Sequence, residues 1–131
     1  MQKLSAIIKL RLDVTVLIVD NAGYGCERLI HGLEAGYNDV APWRYCEVAG
    51  ALGAPRPEGA SEQEGSGSRE LGSRDGYTVS SHRAKTWAEL DALLGDEKWV
   101  DAKGLKVVDI VVGREDVPGK FKGCFEKRAG R

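Results

Sequence analysis

Residues 14–19 read Val-Thr-Val-Leu-Ile-Val, an unbroken and mostly β-branched run. Such runs favour extended backbone and are typical of a strand. A strand with one solvated face would alternate apolar and polar residues, whereas a strand in a parallel sheet covered by helices on both faces need not. We therefore expect the α/β class, with a parallel sheet flanked by helices and with both faces of this strand buried.

The sequence around this run supplies helices and further strands. Apolar residues recur at helical spacing in four segments, and glycines follow three of them. The segment that starts at Thr86 opens with a capping box, because Glu89 stands three residues after a threonine. We expect helices over residues 4–12, 27–31, 42–52 and 86–94, and strands over 77–79 and 105–112.

Length and charge exclude several functional classes. At 131 residues the chain has room for one compact domain, 1–131, and its formal net charge of -1 offers no field for nucleic acid or an acidic membrane. No apolar run approaches the roughly 20 residues that span a bilayer, and the start carries no secretory pattern. The three cysteines are widely spaced without a paired-cysteine knuckle, which favours reduced thiols in the cytoplasm.

Two segments are expected to lack structure. Residues 56–75 are rich in glycine, serine and charge and have almost nothing to bury, so we expect a disordered insertion. Residues 119–131 form a basic tail without a periodic apolar pattern, and we expect them to fray.

The loop after the first strand, residues 20–25, is rich in glycine and leads into a helix. In parallel sheets this position often binds ligands, and the N–H groups at a helix start suit phosphate. Asn21 offers a side-chain oxygen and Gly23 a backbone carbonyl, both of a kind that Mg²⁺ accepts. On spacing alone a simple turn is the more frequent structure, Glu27 is a solvated helix residue, and His31 has packing or capping duties.

The stretch from residue 20 to residue 32, Asp-Asn-Ala-Gly-Tyr-Gly-Cys-Glu-Arg-Leu-Ile-His-Gly, resembles a known signature. It is similar to the Asn-Asp-Gly-Tyr-Thr-Ile-Glu-Arg-Leu-Ile-His-Gly motif of fungal pyruvate decarboxylases. The resemblance continues in order through residues 34–40, 42–43, 53–54, 87–90 and 115–118.

This resemblance implies the C-terminal, thiamine-diphosphate-binding part of a carbon–carbon lyase. It implies that Asn21 and Gly23 bind the Mg²⁺ that anchors thiamine diphosphate, that Tyr24, Gly25 and Cys26 contact the cofactor, and that Glu27 is the active-site carboxylate. In the family the cofactor attacks the keto carbon of pyruvate, carbon dioxide leaves, and acetaldehyde is released. The parent enzymes are homo-oligomers. Pyruvate, indolepyruvate and phenylpyruvate remain open as substrates.

Departures from the motif lead us to expect that the isolated chain is inactive. Ala22 replaces an aspartate, and Gly25 and Cys26 replace threonine and isoleucine. The family's Gly-Asp-Gly motif, which supplies another metal ligand, is expected upstream of Met1, and the glutamate that contacts the aminopyrimidine comes from a neighbouring subunit. Two hypotheses follow: a catalytic fragment of a decarboxylase, or a non-catalytic relic that acts as an interaction module and pairs with full-length subunits.

Overall fold

The computed structural model describes residues 2–55, 69–74, 76–119 and 123. In chain order its helices and strands are α1 (Gln2–Leu10), β1 (Val14–Asp20), α2 (Gly25–His31), α3 (Val48–Ala51), β2 (Arg69–Arg74), β3 (Tyr77–Ala84), α4 (Trp87–Leu94), α5 (Glu97–Asp101) and β4 (Gly104–Val111). Short 3₁₀ turns occupy Gly36–Asn38 and Tyr45–Glu47. These elements group into two compact units, the first within residues 1–19 and 44–111 and the second within 20–43 and 112–131. Whether the whole of 1–131 is one domain stays a prediction.

The four strands form one sheet in the order β1-β4-β3-β2. Strands β3 and β4 are parallel, with Val79 opposite Leu105. Strand β1 runs in the same direction as β4: at their starts Gly104 N–H donates to the Asp13 carboxylate (3.2 Å), and at their ends Val112 N–H donates to the Asp20 carbonyl (2.9 Å). The expected α/β class with a parallel sheet is confirmed.

Strand β2 lies within the stretch for which we expected disorder. The structure differs from that expectation over Arg69–Arg74, which pairs antiparallel with β3. A strand at the edge of a sheet can be held by backbone hydrogen bonds to its neighbour, and these need no apolar side chains. Residues 56–68 and 75, and the tail 119–131 apart from Gly119 and Gly123, lie outside the described residues.

The sheet of the first unit carries an apolar cluster on each face. Successive strand residues point to opposite faces, so Val107 and Val108, both fully buried, belong to different clusters. Leu4, Ile7 and Ile8 of α1 pack on the Val107 side, and α4 supplies Leu90 on the Val108 side. Helices therefore cover both faces of the central strands.

Within the described part of the chain, strand β1 is covered on one face only, contrary to the expectation of two buried faces. Val16 and Ile18 pack against the α1 cluster, but Leu17 and Val19 are 54% and 65% exposed. Since β1 is the first strand in the sheet order, the described part of α4 and α5 covers β3 and β4 and leaves this face of β1 open. An apolar run alone does not show which strand of a sheet lies outermost.

Polar contacts fix the junction between α1 and β1. Tyr77 donates its hydroxyl to the Leu12 carbonyl (3.2 Å), and burial raises the pKa of that hydroxyl. Asp13 accepts the Gly104 N–H and lies 3.5 Å from the Lys106 ammonium. The hydrogen bond from Gly104, with the nearby Lys106 charge, lowers the pKa of the Asp13 carboxyl.

The helix predictions agree with the structure in three segments and need shortening in the fourth. The capping box of α4 is present in full, with Glu89 N–H donating to the Thr86 hydroxyl (3.2 Å). The helix expected over 42–52 begins as a 3₁₀ turn at Tyr45, and the sequence did not predict α5, whose start is capped by Asp96. Within the described residues, no helix is both long enough and apolar enough to cross a bilayer.

Candidate functional site

The loop that follows β1 belongs to the second unit and contains two side-chain turns. The Asp20 carboxylate accepts the Ala22 N–H (3.1 Å), and the Asn21 side-chain oxygen accepts the Gly23 N–H (3.4 Å). Aspartate and asparagine favour such turns because their side chains bond backbone two residues ahead. Within these turns Ala22 adopts a left-handed conformation with φ 58°. Asn21 and Gly23 are thereby held in one tight turn.

A neighbouring segment fixes the other side of the loop. Tyr24 N–H donates to the Asn38 carbonyl (2.8 Å), and Val40 N–H donates to the Ala22 carbonyl (3.2 Å). These two bonds flank Gly23, which forms an isolated antiparallel bridge with Asp39. Among the hydrogen bonds of the described residues, none is accepted by the Gly23 carbonyl.

Glu27 lies in the first turn of α2, and its side chain is 51% exposed. The imidazole of His31, one turn later, lies 3.4 Å from the Glu27 carboxylate and makes an edge contact with the Tyr37 ring at 6.2 Å between centroids. His31 therefore packs near the helix end, as expected, and also pairs with the candidate carboxylate. About half of the Glu27 side chain is thus open to solvent.

A buried arginine connects the loop to the rest of the second unit. Arg28 is 1% exposed, and its guanidinium donates to the carbonyls of Asn21 (2.9 Å) and Ala22 (2.7 Å). It also donates to the Arg114 carbonyl (2.9 Å) and to the Asp39 carboxylate (2.7 Å). Arg28 was not among the site residues expected from the sequence. The available signal was weak: a charged residue beside Leu29 and Ile30 in a short helix.

Asp39 balances the charge of this cluster. Its carboxylate accepts from Arg28 and also from the Arg114 guanidinium (2.8 Å). These bonds and charges, with the Arg28 hydrogen bond the largest contribution, lower the pKa of the Asp39 carboxyl from its ordinary 3.8. Asp39 is therefore ionised at neutral pH.

The two motif departures after Tyr24 occupy different surroundings. Gly25 is buried, and a Cβ at this position would lie 2.8 Å from the Asn21 amide nitrogen and 2.9 Å from a Val117 methyl. A threonine at position 25, as in the resembling motif, would therefore require the Asn21 or Val117 side chain to shift. Cys26 is exposed as a free thiol.

The donor atoms of the loop suit part of a magnesium site. Asn21 Oδ1 and the Gly23 carbonyl are neutral oxygens two residues apart, whereas Mg²⁺ takes about six oxygens in octahedral geometry. No cluster of three or more His, Cys, Asp or Glu side chains able to hold a metal occurs in the described part of the chain. The loop could therefore supply two ligands, and the cofactor diphosphate, water or another segment would have to complete the set.

The structure joins Asn21 to Gly23 by a hydrogen bond, and the interactions of the described residues include none between either of them and Glu27. Tyr24 is 60% exposed at the start of α2, beside Gly25 and Cys26. The assignment of Asn21, Gly23, Tyr24, Gly25, Cys26 and Glu27 to a cofactor site stays a prediction.

Comparison with known proteins places the chain among the 2-oxo acid decarboxylases. It is 37% identical over 130 residues to a pyruvate decarboxylase of Aspergillus parasiticus, a match that covers 99% of this chain and 20% of that protein. A pyruvate decarboxylase of Aspergillus fumigatus is 29% identical over 131 residues, covering 100% of this chain and 19% of the relative. An alpha-keto-acid decarboxylase of Mycobacterium leprae is 31% identical over 121 residues, covering 89% of this chain and 16% of the relative. No protein-family model matches.

The chain thus has an α/β fold, and the relatives that it matches are decarboxylases. More narrowly, it belongs to the fungal-type pyruvate decarboxylases, as a segment that spans about one fifth of the length of the relatives it matches.

Proposed function

We propose that this chain is the part of a thiamine-diphosphate- and magnesium-dependent 2-oxo acid decarboxylase that carries the metal-binding loop and one active-site carboxylate. The substrate of the complete enzyme is pyruvate, and the isolated chain is inactive. The observation that carries the proposal is the turn in which the Asn21 side-chain oxygen meets the Gly23 N–H (3.4 Å), inside a segment similar to pyruvate decarboxylases.

Asn21 and Gly23 would hold the magnesium ion through one amide oxygen and one carbonyl. The Gly23 carbonyl is suited to this role because its turn leaves it without a hydrogen bond from the described residues. Tyr24, Gly25 and Cys26 would lie beside the cofactor. Thiamine diphosphate supplies, when bound, the nucleophilic carbon and the electron sink that decarboxylation requires.

Glu27 would hold and transfer a proton at its carboxylate. It lies two residues beyond Gly25, at the start of α2, and His31 approaches it from the next turn at 3.4 Å. A general acid or base works best in a site closed to water, where its pKa can be tuned. With 51% of its side chain exposed, Glu27 needs further structure around it before it can act efficiently.

The same features support inactivity of the chain by itself. Two neutral oxygens leave most of the magnesium coordination to other groups, and they contribute no negative charge to a dication. No Gly-Asp-Gly sequence occurs in the 131 residues. We propose that the remaining ligands and the cover over Glu27 come from the other four fifths of a complete enzyme.

The proposal extends to assembly and location. The complete enzyme would be a cytoplasmic homo-oligomer in which a neighbouring subunit contributes to each active site. The odd number of cysteines, without a paired-cysteine knuckle, supports a reducing compartment.

A graft tests the metal assignment. The matching fifth of the Aspergillus parasiticus pyruvate decarboxylase is replaced by this chain, and pyruvate consumption is followed as Mg²⁺ is titrated with thiamine diphosphate in excess. We expect Mg²⁺-dependent turnover, and we expect Asn21→Ala to raise the half-saturating Mg²⁺ concentration roughly 10-fold or more because an oxygen ligand is lost.

Two controls accompany the graft. Asn21→Asp keeps an oxygen donor and should retain activity, and Glu34→Gln changes an exposed residue of the same unit and should alter nothing. The metal assignment is wrong if Asn21→Ala titrates like the unmodified graft.

A further inference from the structure

The Asn21–Gly23 turn is held from behind by the buried guanidinium of Arg28. Nη1 donates to the Asn21 carbonyl at 2.9 Å, and Nη2 donates to the Ala22 carbonyl at 2.7 Å. Two successive carbonyls bonded to one planar group fix the orientation of two successive peptide planes. The loop therefore cannot rotate these peptides without breaking charge-assisted hydrogen bonds.

This restraint acts at Ala22, whose backbone conformation is unfavourable for a residue other than glycine. Ala22 has φ 58°, a left-handed conformation that costs a non-glycine residue about 1 kcal/mol. The Arg28 bond to the Ala22 carbonyl and the Val40 N–H bond to the same oxygen (3.2 Å) offset that cost. The Asn21 and Ala22 carbonyls both accept hydrogen bonds from Arg28. The next backbone oxygen of the loop, that of Gly23, accepts none from the described residues and can therefore serve as a metal ligand.

The arginine is itself rigidly placed. It is 1% exposed and bridges the loop to Asp39 (2.7 Å) and to the Arg114 carbonyl (2.9 Å). A Cβ on Gly23 would lie 2.4 Å from Arg28 Nη2, so the guanidinium fills the space under the glycine. A buried charge with fixed partners on three segments is a stiff support for the loop.

We propose that Arg28 is a positioning residue for metal binding. It holds the Asn21–Ala22 and Ala22–Gly23 peptide planes, and the second of these carries the Gly23 N–H that bonds Asn21 Oδ1. Arg28 thereby orients Asn21 Oδ1 and fixes the backbone that leads directly into the Gly23 carbonyl. This inference rests on the proposed function, since the two oxygens are the proposed magnesium ligands. Arg28 touches neither the metal nor the substrate and acts only through the loop. Residues that orient metal ligands typically change metal affinity by about 10- to 100-fold when they are replaced.

The test uses the full 131-residue chain, labelled with ¹⁵N, and Mn²⁺ as a paramagnetic probe that reports even weak binding by broadening nearby amide signals. In the unmodified chain, Mn²⁺ should first broaden the amides of Asn21 and Gly23. Arg28→Lys keeps the charge but cannot bond both carbonyls in one plane. We expect it to require at least about 10-fold more Mn²⁺ for the same broadening.

Amide hydrogen exchange at Tyr24 and Val40 gives a second reading that needs no metal. Arg28→Lys should speed exchange at these two amides while β3 and β4 exchange as before, because the change loosens the loop and not the sheet. Arg44→Lys, at a side chain 73% exposed, is the matched control and should change neither reading.

The outcomes separate the two proposals. If the unmodified chain shows no Mn²⁺ broadening at Asn21 and Gly23, the loop does not hold the ion without the rest of the enzyme, and Arg28→Lys is then placed in the Aspergillus parasiticus graft. There it must raise the half-saturating Mg²⁺ concentration, and an unchanged concentration overturns the positioning role. Unchanged exchange in Arg28→Lys, or unchanged Mn²⁺ broadening where it occurs, overturns the positioning role. If Arg28→Lys does not fold, Asp39→Asn, which removes the charged partner of Arg28 at nearly constant shape, must show the same two changes for the role to stand.

Discussion

Among single residues, Gly23 occupies the most restricted position in the loop. A Cβ there would lie 2.1 Å from the Asn38 carbonyl oxygen, which is backbone and cannot move aside without breaking the bridge to Asp39. We expect Gly23→Ala to destabilise the protein by about 1–3 kcal/mol, measured by chemical denaturation. Gly36→Ala is the control, since nothing lies within 4 Å of a Cβ at that position. Equal stabilities of the two variants would contradict the described packing.

Asp39 makes the stability of the second unit depend on pH. Its pKa is lowered from 3.8 by the Arg28 hydrogen bond and the Arg114 charge, so the folded state binds this proton less readily than the unfolded state. The resulting stabilisation is present above about pH 4 and is lost as the pH falls through the lowered folded pKa. We expect acid unfolding of Asp39→Asn to lack this component. Asp101→Asn, on an exposed helix residue, should retain it; identical acid curves for Asp39→Asn and the unmodified chain would refute the ion pair.

At the residue scale, the sequence was enough to propose the metal donors but not to identify the residue that holds their loop. Asn21, Gly23 and Glu27 stand out because an asparagine, a glycine and an acidic residue surround the start of a helix. Arg28 has no such signal: its partners are backbone carbonyls and an aspartate 11 positions away. Which residue a guanidinium meets depends on how segments 36–40 and 112–117 return to the loop, and periodicity does not contain that information.

For the elements, the α/β class and most helices and strands followed from local patterns. Apolar spacing and the Thr86 capping box predicted α1 and α4, and β-branched runs predicted β1 and β4. The two elements that were not predicted, β2 and α5, do not depend on such patterns. Strand β2 is held by backbone pairing with β3, and α5 is five residues long, so neither needs a marked side-chain pattern. Sheet position, which leaves Leu17 exposed, is a property of the assembled sheet.

Two leucines in neighbouring strands test this account of the sheet. Leu105 on β4 is 0% exposed and Leu17 on β1 is 54% exposed. We expect Leu105→Ala to lower the free energy of unfolding by about 2–5 kcal/mol and Leu17→Ala to change it by about 0.5 kcal/mol or less. Denaturant titration measures both. A loss for Leu17→Ala as large as that for Leu105→Ala would mean that the face of β1 is covered.

For the whole molecule, we propose that the chain carries part of a decarboxylase site and is inactive without the rest of the enzyme. Its match to about one fifth of the relatives, the neutral charge of the two proposed metal donors and the exposed Glu27 carboxylate all support this proposal. We therefore expect the isolated chain to be inactive and the same residues to support turnover within a complete enzyme. One assay can address both.

The decisive measurement compares pyruvate consumption by the isolated chain, by the Aspergillus parasiticus graft and by the graft carrying Glu27→Gln, each with Mg²⁺ and thiamine diphosphate. We predict that the isolated chain does not exceed a cofactor-only control, that the graft turns over, and that Glu27→Gln lowers its turnover by about 10²-fold or more. Turnover by the isolated chain well above the control, or a Glu27→Gln graft as active as the unmodified graft, would contradict the account.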